Sequence, residues 1–310
     1  MKRIVITGPT GAIGTAIINR CVAEEIEVYA IMRKNSNRRD RIKEGQKVHI
    51  IECDLSELKD LPVDNIPSCD VFYHLGWGAT IGDGRNDMKL QTENIQYTID
   101  AVQLAKRLGC HTFVGAGSQA EYGRFEGKLN DYVPTFPENG YGIAKLCAGK
   151  MTAIECDKLG IRHIWVRILS IYGPGDSDKT MVTTTIKKLL NKERASFTKG
   201  EQMWDYLYSE DAARALILMG KCQEANGIYC LGGGTARPLR EYIEEIASNV
   251  SSDAELGFGD VEYGPKQVMY LCADIERLTK DTGFVPEVTF EEGIKKTIEW
   301  MKQRISYEEN

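Results

Sequence analysis

The sequence predicts an α/β protein, a doubly wound parallel sheet followed by a smaller mixed α/β region. Three observations carry this. Short apolar runs alternate with helical patterns over residues 1–170. A glycine-rich turn joins the first run to the first helix. The alternation stops after Gly173-Pro174-Gly175. Strand–helix alternation with short connections is the pattern of a parallel sheet with helices on both faces.

The runs fall at 3–7, 27–31, 48–53, 71–75, 112–115 and 163–169. Several are continuous in Val, Ile and Phe rather than alternating, as strands covered on both faces are. After the first run, Ile13, Ile17 and Cys21 recur every four residues, one stripe of a helix. Ile95, Ile99, Val102 and Leu108 mark a second helix within 94–108. Beyond Gly175 the pattern predicts a helix near 181–190 and a segment at 204–208. Another helix opens at Ser209-Glu210-Asp211, an N-cap residue followed by two acids that suit the helix dipole. A strand-like 228–231 precedes Gly232-Gly233-Gly234. Pro238 opens a helix over 239–250, and 290–305 forms the last. The expected division is a dinucleotide-binding part, 1–175, and a substrate part, 176–310, with segments around 200–220 returning to the sheet.

Composition narrows the function. The chain has 310 residues, 42% hydrophobic and 27% charged, which is ordinary for a globular protein, and a net charge of −6. That balance argues against a nucleic-acid partner, whose affinity rests on cationic phosphate contacts. No apolar run reaches the length of a membrane span. The start MKRIVITG lacks the apolar core of a signal peptide, so a cytoplasmic protein without a membrane partner is expected. The nine cysteines are scattered with no CxxC pair. They read as reduced thiols, not disulfides or metal ligands.

The first run leads straight into Gly8-Pro9-Thr10-Gly11-Ala12-Ile13-Gly14 and a helix. In that setting Gly8 permits the turn, Gly11 lets backbone approach a pyrophosphate, and Gly14 lets helix pack on strand. The helix N-terminus faces the phosphates. The spacing is GxxGxxG, and no Lys follows the last Gly, which excludes a P-loop. An NAD site calls for an acid after the second strand. This chain has Met32, Arg33 and Lys34 there, with Arg38 and Arg39 close behind and cations continuing to Arg41. The expectation is therefore NADP(H), with NAD as the alternative. Asp54, after the third strand, suits an adenine amino group.

Tyr141 and Lys145 stand four apart, on one face of a helix. A nearby cation favours phenolate, so the spacing predicts a lowered Tyr pKa. This is the chain's only YxxxK. Ser118 follows Gly117 at the carboxyl end of the fifth run, where doubly wound folds bind ligands.

Here the sequence resembles the extended short-chain dehydrogenase/reductases of the nucleotide-sugar epimerase/dehydratase group, which have a Rossmann-type sheet. The resemblance covers nearly the whole chain. It rests on Thr7-Gly8 through Gly14, His74-Leu75-Gly76-Trp77, Asn94, Gly117-Ser118, Tyr122-Gly123, Tyr141 with Lys145, Arg167, Tyr172-Gly173-Pro174-Gly175, Asp205-Tyr206, Asp211, and Gly283-Phe284 with Pro286. It implies Tyr141 as acid/base, Lys145 as its partner and ribose ligand, and Ser118 as hydrogen-bond donor to the sugar oxygen. It also implies cofactor contacts at Gly8, Thr10, Gly11, Ala12, Ile13, Gly14, Leu55, Leu75, Gly76, Trp77, Asn94, Ile168, Ser170 and Ile171, beside Arg33, Arg38 and Asp54, which the strand ends alone point to. The implied substrate is a nucleotide sugar, expected to be bordered by Trp77, Ser118, Gln119 and Trp204, with Arg237 expected on its pyrophosphate. A homodimer through a helix bundle is implied, built from the helices after Gln91 and Tyr141.

The departures choose among activities. The related 4,6-dehydratases carry an Asp-Glu pair after the active-site Ser/Thr, and here Gln119 and Ala120 stand there. Neither transfers protons, so dehydration is disfavoured. Glu121, one register on, is expected to point away if the loop is extended. The epimerase–reductases of GDP-fucose synthesis have a Cys where this chain has Ala120. What remains is an NADPH-dependent 4-ketoreductase or a 4-epimerase with tightly held NAD. A non-catalytic NADP-binding protein and a dehydrogenase of small alcohols are further alternatives.

Overall fold

In the computed structural model, which describes residues 1–251 and 253–308, six strands form early. They are β1 (Arg3–Thr7), β2 (Glu27–Met32), β3 (Val48–Glu52), β4 (Val71–His74), β5 (Thr112–Ser118) and β6 (Arg162–Ile168). Shorter strands follow: β7 (Ser170–Tyr172), β8 (Ala195–Phe197), β9 (Met203–Trp204) and β10 (Tyr206–Tyr208). Then come β11 (Gly227–Leu231), β12 (Arg237–Pro238) and β13 (Leu256–Phe258). The main sheet has seven strands in the order β11-β6-β5-β4-β1-β2-β3. Every pair in it is parallel. This is the Rossmann-type arrangement that the alternation predicts.

Alternate side chains of one strand feed two cores, because successive Cβ atoms point to opposite faces. Ile4 and Ile6 join one core with Ile17, Leu216 and Leu231. Val5 joins the other with Phe72, Phe113, Val102 and Leu108. On the first face α1 (Ala12–Ala23) packs against α5 (Ser209–Lys221), and on the second α2 (Met88–Arg107) packs against α3 (Gly140–Leu159). Among the described residues no helix is long and apolar enough to cross a membrane.

A smaller core joins Tyr172, Tyr208 and Ile186 to Ile246 and Ile294. Those residues bring together α4 (Met181–Leu190), α6 (Leu239–Val250) and α8 (Phe290–Glu308), with α7 (Glu276–Thr282) lying between α6 and α8 in the chain. The strand-like stretch at 228–231 is the outer strand of the main sheet, and α5 lies on α1. The sheet layer therefore takes in chain beyond residue 175, and beyond the 200–220 stretch expected to return.

Candidate active site

The carboxyl ends of β1, β2, β4, β5 and β6 open on one cleft. At its floor the chain turns from β1 into α1. Gly8 has φ +69, and a Cβ there would lie 2.8 Å from Gly76 N; one on Gly14 would lie 2.4 Å from Gly8 O. Backbone passes backbone here with no room for a side chain. Gly11 is the N-cap of α1, and no side chain caps the helix. The N–H groups of the first turn thus have no acceptor within the helix. Gly11, Ala12, Ile13 and Gly14 line the cleft. This cradle fits the pyrophosphate of a dinucleotide.

Two cavities meet over the turn, sharing Gly8 and Trp77. One, of about 320 Å³, lies at the end of β2 and is lined by Thr10, Met32, Arg33, Ser36, Leu55 and Gly76 among others. Among the described residues that line it there is no carboxylate. The basic run is divided by its partners. Lys34 pairs with Glu57 at 3.0 Å and Arg39 with Glu52 at 2.6 Å. Arg33 lines the cavity. Arg38 does not, and its backbone N–H donates to the Ser36 hydroxyl. Asp54 is outside the lining, although its neighbours Cys53 and Leu55 are in it.

The second cavity, about 300 Å³, brings together Leu75, Trp77, Ser118, Tyr141, Lys145, Ile168, Ile171 and Asp176. Asn139 caps α3 by accepting from Gly142 N–H, which sets Tyr141 in the first turn and Lys145 one turn on. Lys145 is 3% exposed. Its ammonium donates to Ala116 O at 2.6 Å and lies 3.7 Å from the Trp77 ring centre. Burial lowers its pKa to about 7, against the pull of Glu121. Its distance to the Tyr141 ring centre is 5.7 Å, whereas the Arg85 guanidinium lies 4.7 Å from that ring.

The expected lowering of the Tyr141 pKa is not what the structure gives. Burial raises it, and the Ser118 side chain and Arg85 pull it back only in part. Ser118 ends β5, and its hydroxyl accepts from Ala120 N–H. Glu121 is fully buried and points away from the cleft, but the reason is not strand register, because residues 119–121 form a 3-10 turn rather than an extended loop. It accepts from Ser118 N–H at 2.8 Å, Trp165 Nε1 at 2.9 Å and Arg167 Nε at 2.7 Å.

Several expected ligands are engaged elsewhere. Asn94 spends both ends of its amide on the Gly78 backbone, at 2.9 and 3.1 Å, as a loop clamp. Ser170 accepts from Trp204 Nε1 at 2.8 Å. Arg237 pairs with Glu245 and lies 3.9 Å from the Tyr242 ring centre, so its guanidinium is already partnered. Gln119 sits in the short turn after Ser118 and is outside both linings. Arg85, Gln91, Ser36 and Asp176 escaped the sequence reading. Gln91 accepts from Trp77 Nε1 and donates to Ala79 O and Gly84 O, which holds the loop carrying Arg85. No spacing rule marks a residue whose partners come from another loop. Burial raises Asp176 to about 6.

A parallel sheet with an uncapped helix end, a Ser, Tyr and Lys at one cleft, and a glycine-rich turn beneath them define a dinucleotide-dependent enzyme class. The pattern of the NAD dependent epimerase/dehydratase family matches residues 4–232, and the chain belongs to that family. It is 23% identical to a dTDP-4-dehydro-6-deoxyglucose reductase of Escherichia coli over 308 residues, 95% of this chain and 96% of that one. It is 23% identical to a UDP-glucuronate 4-epimerase of Thermodesulfobacterium geofontis over 317 residues, 98% of each. In structure it matches a UDP-N-acetylglucosamine 4-epimerase of Methanobrevibacter ruminantium, solved with UDP-N-acetylmuramic acid, at a TM-score of 0.88 and 21% identity. That match covers 98% of this chain and 99% of the other.

Proposed function

We propose that this protein is an NADP(H)-dependent oxidoreductase that reduces the 4-keto group of a nucleotide-diphosphate 4-keto-6-deoxysugar. The observation that carries the reading is the pair of joined cavities. One holds Ser118, Tyr141 and Lys145, and the other presents Arg33 and Ser36 with no carboxylate at the end of β2. A cation and a hydroxyl there suit a 2′-phosphate, which an acid would repel.

A nicotinamide cofactor held in this cleft would supply the hydride to the keto carbon. Tyr141 gives its phenolic proton to the keto oxygen, so that C=O becomes CH–OH. Burial holds the phenol in its protonated form, and the Ser118 side chain and Arg85, which pull its pKa down, ease the transfer. The Ser118 hydroxyl donates to the same oxygen and orients it. Lys145 binds the ribose hydroxyls and supports the phenolate left after transfer. Gln119 and Ala120 hold no proton to move, so elimination of water has no base. The exposed apolar stripe of α3, Ile143, Met151 and Ile154, supports a homodimer through α2 and α3.

The same three residues serve a 4-epimerase, which the named relatives include. The nucleotide released on denaturing purified protein separates the two. The reductase reading expects a site that takes up NADPH reversibly. One equivalent of NAD⁺ held through purification overturns it in favour of the epimerase.

A further inference from the structure

We propose that Arg41 is a positioning residue for the cofactor, clasping the glycine-rich turn to the linker that enters the C-terminal part of the chain. The inference rests on the dinucleotide reading above. Arg41 belongs to the basic run but lines neither cavity. Its Nη1 donates to Thr10 O at 3.1 Å and to Gly175 O at 2.8 Å. Its guanidinium also lies 5.6 Å from the ring centre of Trp300 on α8. Burial lowers its pKa to about 10, which leaves it charged at neutral pH.

The clasp acts on the shape of the phosphate cradle. The Thr10–Gly11 peptide is planar and trans, so its C=O and N–H point in opposite directions. With Thr10 O drawn to Arg41, the Gly11 N–H turns to Gly8 O at 3.4 Å and closes the turn. Gly175 has φ +84, and a Cβ there would sit 3.5 Å from Ala12 N and Ala12 Cα. The linker therefore lies against the first residue of α1, where the free N–H groups begin. Arg41 neutralises two carbonyl oxygens that border this cradle and adds a fixed positive charge behind it. One basic run thus holds two roles. Arg33 faces the 2′ end of the cleft, while Arg41 shapes the part that every such dinucleotide shares.

The test is the dissociation constant for NADPH and for NADH, measured by titration of the full chain and of Arg41→Met, with thermal melts alongside. Loss of charged hydrogen bonds predicts roughly tenfold or greater weakening of both cofactors by a similar factor. Trp300→Leu removes the supporting ring and leaves the cleft lining intact. It is expected to weaken both cofactors equally but less, and it reads the same quantity if Arg41→Met does not fold. Selective loss of NADPH would make Arg41 a phosphate ligand and overturn the proposal. Unchanged affinities with a lowered Tm would make it a structural strut and overturn it as well. An unaltered chain that binds neither cofactor sinks the proposed function itself.

Discussion

Burial pushes Tyr141 and Lys145 toward neutrality together, and the charges around them do not undo it. For Tyr141 the Ser118 side chain and the Arg85 charge moderate it, while Glu121 adds to it. Tyr141→Phe is expected to cut turnover by roughly 10²–10⁴-fold. Cofactor affinity, read by the same titration, stays close to that of the unaltered chain. A variant that keeps its rate removes Tyr141 from the mechanism. Lys145 has a pH signature. Its folded pKa of about 7 lies below the ordinary 10.5. Between those values the unfolded chain binds a proton that the folded chain does not, so stability from this site rises with pH across that window. Below it both states are protonated and the burial penalty is complete. Lys145→Met should therefore melt above the unaltered chain by the widest margin below pH about 7, and the margin should shrink toward 10.5. A margin independent of pH contradicts this account. That Tyr141 and Lys145 share one cavity is legible in a four-residue spacing. The direction of the Tyr141 shift is not, because depth of burial and the approach of Arg85 are set by other loops.

At the scale of elements, β5 and β6 are fitted to each other through glycines. A Cβ on Gly117 would lie 2.4 Å from Trp165 Nε1 and 2.6 Å from Glu121 Oε1. The glycine that stands in sequence just before Ser118, at the ligand end of β5, is the gap into which Trp165 and Glu121 pack. Overfilling such a gap costs about 1–3 kcal/mol. Gly117→Ala should lower unfolding free energy by that order in denaturant titrations and disturb Ser118, whose N–H the same carboxylate holds. Unchanged stability would show that the strands part without strain. The β2–β3 connection makes a similar point. Its cations look alike in sequence, and only their partners separate Lys34 and Arg39, which are ion-paired, from Arg33 in the cavity. Arg33→Ala is expected to weaken NADPH at least several-fold while leaving NADH unchanged. An equal loss of both would move the 2′-phosphate reading elsewhere.

For the whole molecule, the parallel sheet was readable because its strands are continuous apolar runs, buried on both faces. The place of β11 was not, since a five-residue run carries no record of which edge it joins. The stripe on α3 is 54% exposed at Ile143, 44% at Met151 and 61% at Ile154. Apolar side chains at this spacing on one helix suit a second copy of the chain. Ile154→Glu should shift sedimentation from dimer to monomer; an unaltered chain that sediments as a monomer contradicts the bundle. The central claim concerns what the cleft does with its cofactor, and one assay meets it directly. Purified protein is given NADPH and a nucleotide-linked 4-keto-6-deoxyhexose, and both are followed. The account predicts one NADPH oxidised for each 4-hydroxy sugar formed. No NADPH oxidised, with a 4-hydroxy nucleotide sugar instead interconverted with its C4 epimer on bound NAD⁺, would contradict it.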